Sequence, residues 1–400
     1  MDGNNLILKN HLIQRDKYHI FKNCIMAKNN SDQSPTIPSE LEWMEYWWAN
    51  DHKMQRFPIP YPKKEVFRWF INHIFGPSKR RKKKYSFIQH ESTLNEISTV
   101  DYKIGFVGDI MKMFQYELIF DQSIIEFFKP VELLVGNLEG IITLQPGFIA
   151  AQRHNKEIIQ QLKTIKPANE WLLCLSNNHS GDFGLADFVL HLDRLRFNGF
   201  NIFGRRDKPS HLHKNRLNFV SGTMWKNQNG CKYVSRFEKI EDHYLNDTNV
   251  FNILYPHWYY EYELYPRKKI KNRAEELLET WDLICGHHPH VVQPITKVKK
   301  AHINKLLVYS AGNFAAGLEV DAHKYGMIMK CEIGPLQSDS SKLAVGKVEW
   351  KFTYNDNDVN ENKEKYVKFK KNMPKPEDGP VMLVKIVEEN KFFPQINYID

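Results

Sequence analysis

Buried-strand patterns alternate with helical patterns from residue 102 onward, and this alternation restricts the fold more than any other feature of the chain. The first strand patterns are YKIGFVGD at 102–109 and VELLVGNLEG at 131–140, and helical stretches are predicted after them, near 115–128 and 155–165. Further strands are predicted at 170–179, 200–203, 216–221, 249–258, 280–290, 305–314 and 325–334, and further helices at 185–199 and 268–280. Strands separated by helices indicate a layered α/β domain.

The segments on either side of this alternation have a different composition, and they divide the chain into four parts. Residues 1–38 are polar, end in a Pro-containing loop and are predicted to form a flexible N-terminal arm. Residues 39–100 are predicted to form an aromatic and basic helical extension, and 101–334 the α/β domain. Residues 335–400 are predicted to be a β-rich C-terminal extension that packs on that domain, because VGKVEWKFTY and GPVMLVKIVE have strand patterns.

The N-terminal extension combines two aromatic helices with a run of cations. Ser39 and Glu42 fit a capping box that begins a first helix, and KKEVFRWFINHIF is predicted to form a second helix that ends at Gly76-Pro77. Six consecutive basic residues follow: Lys79, Arg80, Arg81, Lys82, Lys83 and Lys84.

This extension has two interpretations. Aromatic side chains beside cations can lie on an anionic membrane, so one interpretation is peripheral contact with the inner membrane face through the basic run at 79–84. However, seven of the ten residues at 66–75 are apolar, which leaves a narrow polar face. That density favours the second interpretation, in which the aromatic side chains pack on the α/β body.

The positive charge of the chain is concentrated near its start. The net charge is +9, and the first 100 residues carry six more basic than acidic side chains. The basic run alone has that many cations, so the α/β domain itself is close to neutral. We therefore expect no nucleic-acid partner, and binding of nucleic acid through the run is the least favoured interpretation.

The sequence also predicts a compartment. No apolar stretch approaches the roughly 20 residues that span a bilayer. Polar and apolar residues alternate too often in the N-terminal sequence to form the apolar core of a signal peptide. Cys174, Cys285 and Cys331 lie in apolar, strand-like runs and are predicted to be buried, reduced thiols. We therefore expect a cytoplasmic protein without a signal peptide or a transmembrane helix.

Several predicted strands end in a cluster of polar residues. The clusters are Gly108-Asp109, GNLE at 136–139, NNH at 177–179 with Asp182, Pro256-His257 and GHHPH at 286–290. In open α/β sheets the loops at the carboxyl ends of the strands converge and bind ligands. Together the clusters supply carboxylates, an amide oxygen and at least three imidazoles, without a thiolate. That donor set suits Mn²⁺, Fe or Zn²⁺ better than Ca²⁺ or a structural zinc site.

Each cluster alone also has a structural interpretation. Gly-Asp after a strand is usually a turn, and Asn before a helix is usually a cap. The His288-Pro289-His290 triplet is harder to explain by packing, because a proline of fixed φ holds two imidazoles two residues apart. The ordered combination of clusters therefore favours a metal site.

The order of these motifs resembles that of the bacterial CapA-type capsule-synthesis proteins (the poly-γ-glutamate capsule family), a branch of the calcineurin-like metallophosphoesterases. The matching motifs are VGDIM (107–111), GNLEG (136–140), SNNHSGDFG (176–184), PHWYYEYELYP (256–266), GHHPHVVQPI (286–295) and YSAGNF (309–314). The resemblance implies an α/β fold of four layers, an α/β/β/α sandwich, with a metal site at one end of its paired sheets.

The resemblance also implies a role for each matching polar residue. Six residues would bind one or two divalent transition metal ions (Mn, Fe or Zn): Asp109, Glu139, Asn178, His257, His288 and His290. His179 would protonate the leaving group, and Asp182 would orient His179. Four more residues would contact the ligands or the substrate: Asn137, Asn177, His287 and Asn313.

Two positions depart from the expected pattern. The wider superfamily begins Asp-x-His, whereas Met111 follows Asp109-Ile110 here, so one metal position lacks an imidazole and occupancy by a single metal stays open. The capsule family shares this gap. Tyr259 stands where that family usually has glycine, and we expect its bulk near the site, where it would alter substrate choice.

The resulting functional hypothesis is a metal-dependent phosphoesterase-type hydrolase. It would hydrolyse a phosphoester or phosphoanhydride in an anionic phosphorylated substrate linked to the metabolism of cell-surface anionic polymer. The alternative is a non-hydrolytic, metal-binding component of a poly-γ-glutamate or capsule synthesis or export complex. The sequence predicts neither the physiological substrate nor the oligomeric state.

Overall fold

The computed structural model describes residues 61–77, 85–147, 150–225, 233–357, 380–394 and 396–399. The predicted arm at 1–38, the helix predicted after Ser39 and the basic run at 79–84 lie outside these described residues. Within them, the helices are α1 (Lys63–Phe75), α2 (Gln122–Phe128), α3 (Ile158–Ile165), α4 (Gly184–Phe197) and α5 (Lys268–Leu277).

The described part of the chain contains twenty strands in four sheets. The first ten are β1 (Phe87–Ile88), β2 (Glu91–Thr93), β3 (Tyr102–Ile110), β4 (Glu117–Phe120), β5 (Leu133–Leu138), β6 (Ile141–Ile142), β7 (Arg153–His154), β8 (Trp171–Cys174), β9 (Asn201–Phe203) and β10 (Ser210–His213). The next ten are β11 (Leu217–Val220), β12 (Phe251–Leu254), β13 (Leu283–Cys285), β14 (Ile295–Lys300), β15 (Ile303–Val308), β16 (Asn313–Ala315), β17 (Tyr325–Leu336), β18 (Asp339–Asp356), β19 (Val381–Val387) and β20 (Tyr398–Ile399).

The larger main sheet has ten strands, and its parallel half begins with β3. The strand order is β4-β19-β18-β17-β3-β5-β8-β9, with β2 paired to β18 and β16 paired to β3. β3, β5, β8 and β9 run parallel to one another, so their carboxyl ends share one edge. On the other side of β3 lies β17, which is antiparallel to β3 and places Met329 opposite Phe106.

The second main sheet has six strands in the order β10-β11-β12-β13-β15-β14. Its four central strands, β11, β12, β13 and β15, are parallel, and the two edge strands are antiparallel to their neighbours. The carboxyl ends of the central strands therefore also share one edge. Two small parallel pairs, β1 with β20 and β6 with β7, complete the described sheets.

Apolar side chains of the two main sheets meet in one buried core. The rings of Phe106 on β3 and Phe219 on β11 lie 6.5 Å apart between centroids, and both belong to the same buried cluster. Alternate residues of a strand point to one face, which brings these side chains together between the sheets. Three cysteines in this core are free and buried, as predicted: Cys174, Cys285 and Cys331.

Helices cover the outer faces of both sheets. Against the smaller sheet, Ile270 and Ala274 of α5 pack in a second buried cluster with Leu254 and Ile284. Against the larger sheet, α2 contacts β19 and α3 contacts β4, and the indole of Trp171 on β8 donates to the backbone of α3 at 3.1 Å. The layers follow in the order helix, sheet, sheet, helix, so the predicted four-layer α/β/β/α fold class is confirmed.

The structure differs from the prediction at the edges of the sheets. The stretch predicted as a helix near 115–128 forms β4 first and then α2, because the segment ELIF has the alternating burial of a strand and pairs with β19. Asp121 separates the two elements and caps α2, its Oδ1 accepting from the Ser123 amide at 2.9 Å. The edge strands β10 and β14 were not predicted, since both are polar and half-exposed.

α1 matches the predicted second aromatic helix and ends at Gly76, where φ is 77°. Of the aromatic side chains expected to pack on the α/β body, Trp69 does so, its ring centroid 6.0 Å from that of Tyr262, whereas the phenylalanines of α1 do not pack on the described residues. Five other apolar side chains of α1 are exposed to solvent: Phe67, Phe70, Ile71, Ile74 and Phe75. None of the helices in the described ranges has the length and apolar character that a bilayer crossing requires.

Candidate metal centre

The polar residues that follow the parallel strands converge at one end of the two main sheets. Asp109 lies at the end of β3, Asn137 and Glu139 at the end of β5, and His257 just beyond β12. Contacts connect all twelve residues that the sequence predicts for the site. Parallel strands end at the same edge, which explains why residues distant in sequence meet.

Asp109 is the most connected carboxylate of the group, and it is fully buried. Its Oδ1 accepts from Asn137 Nδ2 at 2.7 Å, and its Oδ2 accepts from the His288 amide at 3.1 Å. His287 Nδ1 and His290 Nδ1 lie 3.3 and 3.2 Å from its two oxygens. Burial alone would raise the pKa of Asp109, but the hydrogen bonds from these two imidazoles hold that pKa well below its usual range.

A close backbone approach holds Asp109 in place. The Asp109 amide donates to the Gly312 carbonyl at 2.9 Å. A Cβ atom on the preceding Gly108 would lie 1.9 Å from that same oxygen, so only glycine fits there. Asn313, the residue after Gly312, accepts from His290 Nδ1 at 3.0 Å through its Oδ1, which makes the YSAGNF motif part of the same arrangement.

Glu139 is fully buried, and its Oε1 has no hydrogen-bond partner among the described residues. The nearest cationic atoms are His290 Nε2 at 3.6 Å and His179 Nε2 at 3.9 Å. Burial raises the pKa of Glu139 to about 8, and the Asp109 charge adds to this against the opposing effect of His290. A buried carboxylate oxygen without a partner costs free energy, which a bound cation would offset.

Two of the imidazoles beside the carboxylates, those of His257 and His288, are neutral. His257 Nε2 lies 2.7 Å from Asn178 Oδ1, and His257 Nδ1 lies 2.9 Å from His287 Nδ1. Burial and neighbouring imidazoles lower the pKa of His257 well below its usual value, and burial lowers the pKa of His288 to about 3. His288 Nδ1 has no hydrogen-bond partner within the described ranges. Neutral imidazole is the form that binds a metal.

His179 and Asp182 form a separate pair beside this group. His179 Nδ1 lies 2.7 Å from Asp182 Oδ2, which also accepts from the Gln152 amide at 2.9 Å. Burial lowers the pKa of His179, but the charge and hydrogen bond of Asp182 raise it further, so the net direction is upward. Asn177 accepts from the His179 amide through Oδ1 at 3.1 Å and donates to Asn137 Oδ1 at 3.2 Å, which connects the pair to Asp109.

Four overlapping trios of side chains offer donor atoms within 4.8 Å of one another. They are Asp109–His257–His287, Glu139–His257–His288, Glu261–His288–His290 and Asp109–Glu139–His290. Glu139 and His288, which each carry one unpartnered atom, belong to the same trio. The donor set and its orphaned atoms therefore fit a divalent metal ion.

Two residues of this region, Glu261 and Tyr61, have no predicted role in the sequence. Glu261 belongs to one of the trios. It lies in the matching motif PHWYYEYELYP, but the resemblance assigned no role to it. Tyr61, 200 residues away, donates its hydroxyl to Glu261 Oε1 at 2.9 Å, and the same hydroxyl lies 2.9 Å from His288 Nε2. No local pattern marks Tyr61, because its partners lie 200 and 227 positions away in the sequence. His287, expected only to contact ligands, offers a donor atom itself.

Tyr259 occupies a strained position in the loop between His257 and Glu261. Its φ is 67°, in the left-handed region that glycine adopts without cost. Its ring packs in the cluster between the smaller sheet and α5, 4.6 Å from the ring of Trp258. The ring of Tyr259, which we expected near the site, therefore packs between the smaller sheet and α5.

Comparison with known proteins supports the resemblance that the motifs indicated. Residues 235–318 match the family model described as "Bacterial capsule synthesis protein PGA_cap". The chain is also 25% identical over 244 residues to "PGA biosynthesis protein CapA" of Bacillus subtilis (strain 168). That match covers 52% of this chain and 62% of the relative, so it spans less than two thirds of the relative's length.

Among solved structures, the chain is similar to a putative 5'-nucleotidase from Staphylococcus aureus, with 10% identity and a TM-score of 0.40, covering 62% of this chain and 54% of that one. It is also similar to the calcineurin-like phosphoesterase YfkN from Bacillus subtilis, with 13% identity and a TM-score of 0.37. That match covers 63% of this chain and 90% of YfkN. The family model and the curated relative both agree with the order of the motifs. The predicted resemblance is therefore confirmed: this chain is similar to the bacterial capsule-synthesis proteins of the CapA type.

Proposed function

We propose that this chain is a metal-dependent phosphoesterase-type hydrolase that cleaves a phosphoester or a phosphoanhydride. The observation that supports this most is the pair of unpartnered atoms, Glu139 Oε1 and His288 Nδ1, in one group of buried donors. The His179–Asp182 pair lies beside that group, with His179 Nε2 3.9 Å from Glu139 Oε1. Donors for a metal next to an oriented imidazole supply what hydrolysis of a phosphate ester requires.

The proposed cofactor is one or two ions of Mn, Fe or Zn. The residues that would hold it are Asp109, Glu139, Asn178, His257, His288 and His290. A bound divalent cation supplies Lewis acidity toward a phosphoryl oxygen and lowers the pKa of water. The mixture of oxygen and nitrogen donors without a thiolate supports this choice of metals.

The proposed role of His179 is to donate a proton to the leaving oxygen. Asp182 lies at hydrogen-bond distance from His179 Nδ1 and accepts the hydrogen that Nδ1 carries. Because that hydrogen stays on Nδ1, the proton that His179 transfers is the one on Nε2. Nε2 is also the atom closest to Glu139, on the side of the donor group. Asn177 supports this orientation, because it holds the His179 backbone amide.

The proposed substrate is an anionic phosphorylated compound of cell-surface polymer metabolism, and the proposed location is the cytoplasm. The name of the curated relative, a PGA biosynthesis protein, supports the link to polymer metabolism. His179, whose pKa is raised by Asp182, lies beside the donor group and can carry the positive charge that suits an anionic substrate.

The test is turnover of an aryl phosphate and an aryl phosphodiester by protein loaded with Mn²⁺, Fe²⁺ or Zn²⁺. We expect H179A to keep its metal, measured by elemental analysis, and to lose about 10²–10⁴-fold in turnover, which is the usual contribution of a general acid. H288A should lose both metal and turnover. The matched control is H302A, because His302 is an exposed loop histidine. Equal loss of metal in H179A and H288A would make His179 a ligand instead of the acid.

A second candidate function is a non-hydrolytic, metal-binding component of a capsule synthesis or export complex. The observation that favours it is the complete burial of the central donors, with Glu139, His257 and His288 all inaccessible to solvent. Stoichiometric metal without turnover of any tested phosphate ester would favour this candidate over the hydrolase.

A further inference from the structure

A tyrosine from outside the matched family region reaches the proposed metal centre. Tyr61 lies just before α1, whereas the family model matches residues 235–318. We propose that Tyr61 is a positioning residue, whose hydroxyl holds the His288 imidazole in the tautomer that leaves Nδ1 free for the metal. This inference rests on the metal site proposed above, but it does not depend on which reaction that site performs.

The hydrogen bonds of the Tyr61 hydroxyl determine the tautomer. A phenol carries one proton, and Tyr61 donates it to Glu261 Oε1 at 2.9 Å. The phenol oxygen then accepts, from the Glu261 amide at 3.3 Å and from His288 Nε2 at 2.9 Å. His288 Nε2 must therefore carry the hydrogen. In a neutral imidazole the other nitrogen, Nδ1, is then unprotonated.

The unprotonated nitrogen is the one that lacks a partner. His288 Nδ1 is buried without a hydrogen bond in the described part of the chain, and His288 shares a donor trio with Glu139 and His257. Glu139 Oε1 is unpartnered as well. Metal-binding histidines usually donate their second N–H to a fixed acceptor, which selects the tautomer and orients the ring. Tyr61 is that acceptor for His288.

Neighbouring aromatic side chains and Glu261 hold the Tyr61 hydroxyl beside His288. The ring of Tyr61 packs edge-on against Trp225, with centroids 5.0 Å apart, and at a tilt against Tyr260, with centroids 5.4 Å apart. The other oxygen of Glu261 accepts from Trp69 Nε1 at 2.5 Å. Close by, Arg267 donates to Glu65 of α1 at 3.0 Å, which ties the helix to the loop that contains Glu261.

The test compares Y61F with wild type in two measurements that do not require turnover. In metal-free protein with ¹⁵N-labelled histidine, two-bond ¹H–¹⁵N spectra report the tautomer of His288, whose signals are identified by their absence in H288Q. We expect the Nε2–H form in wild type and its loss in Y61F. Affinity for Zn²⁺ and Mn²⁺, measured by competition with a chromophoric chelator, should fall about 10–100-fold in Y61F, the usual effect of removing such a partner.

The matched control is Y260F. Tyr260 belongs to the same aromatic group, and its hydroxyl is in no hydrogen bond within the described residues. Y260F should keep the wild-type tautomer and metal affinity. An Nδ1–H tautomer in wild type, or equal metal affinity in Y61F and wild type, would overturn the proposal. The wild-type spectrum decides the tautomer even if Y61F fails to fold. Metal binding by wild type without hydrolysis would refute the proposed function and leave this inference intact.

Discussion

At the level of single residues, two opposing effects meet at Tyr259. Its left-handed backbone costs about 1–2 kcal/mol, whereas its buried ring contributes about 3–5 kcal/mol by packing. Y259G should relieve the backbone strain and lose the packing of the ring, so we expect the free energy of unfolding to fall by about 1–4 kcal/mol. Urea denaturation of the metal-loaded protein measures this difference.

The phenylalanine variant at the same position separates ring from hydroxyl. The Tyr259 hydroxyl is buried without a hydrogen bond to any described residue. Y259F should therefore be at least as stable as wild type, because it removes an unsatisfied polar atom and keeps the ring. A Y259G protein as stable as wild type would mean that backbone strain outweighs the packing of the ring.

Glu139 should make the metal-free protein less stable as pH rises. Burial raises its folded-state pKa to about 8, whereas its ordinary value is 4.5. Between these two values the unfolded chain has released a proton that the folded chain still holds. The stability that this group contributes is therefore complete below about pH 4.5 and is lost as pH rises through about 8.

The E139Q variant tests this dependence, since glutamine has the same shape but does not titrate. After removal of metal by a chelator, urea unfolding between pH 5 and 8 should show a steeper loss of stability in wild type than in E139Q. E238Q, a change at an exposed glutamate, should keep the wild-type slope. Identical slopes in all three proteins would contradict the assignment of the raised pKa to Glu139.

Among the elements, α1 has an apolar face that the rest of the described chain leaves open. Phe67 is 72% exposed and Phe75 is 77% exposed, and the basic run at 79–84 follows the helix. Contact with an anionic membrane remains a prediction for this surface. We expect the intact chain to float with vesicles that contain anionic lipid, less so at high salt, and not with neutral vesicles.

Two variants examine the two parts of this surface. Serine at all six positions of the basic run should abolish flotation, and F75S should weaken it. The matched control is F197S, because Phe197 on α4 is 92% exposed but has no cationic run beside it. Failure of the intact chain to float at any salt concentration would rule out the membrane as a partner of α1.

The elements near the centre of the molecule could be predicted from the sequence, and those at the edges could not. β3, β5 and β8 are fully or almost fully buried, so their apolar runs end sharply at the polar clusters. The sequence pattern predicts β4 as part of a helix, because four residues are too few to distinguish the period of a strand from that of a helix. Half-exposed strands such as β14 lack an apolar run altogether.

The same distinction applies to the candidate site. Residues such as Asp109 and His288 could be identified because each lies at or just beyond the end of a strand in a recognisable motif, and parallel strands bring such positions together. Tyr61 could not be identified, since its role arises from contacts with residues about 200 positions away. Glu261 lies within a matching motif, but the resemblance assigned it no role.

For the molecule as a whole, a metal should act as part of the fold. Binding to donors that the unfolded chain does not assemble stabilises the folded state by about 4 kcal/mol when free metal exceeds the dissociation constant a thousandfold. We expect a chelator to lower the melting temperature of wild type by several degrees, with recovery on addition of Mn²⁺ or Zn²⁺. H288A should melt at the same temperature with and without chelator. A chelator that leaves wild-type melting unchanged would contradict a stoichiometric metal site.

The position of β3 at the middle of the larger sheet has a consequence for synthesis. One of its neighbours, β5, leaves the ribosome soon after it, but the other, β17, comes more than 200 residues later. Translation at about 5–20 residues per second puts roughly 10–45 s between β3 and β17. During that time one edge of an apolar strand has no partner. Such an unpaired edge can associate with other nascent chains or bind a chaperone. The centre of this sheet can therefore be completed only when β17 has been synthesised, long after β3.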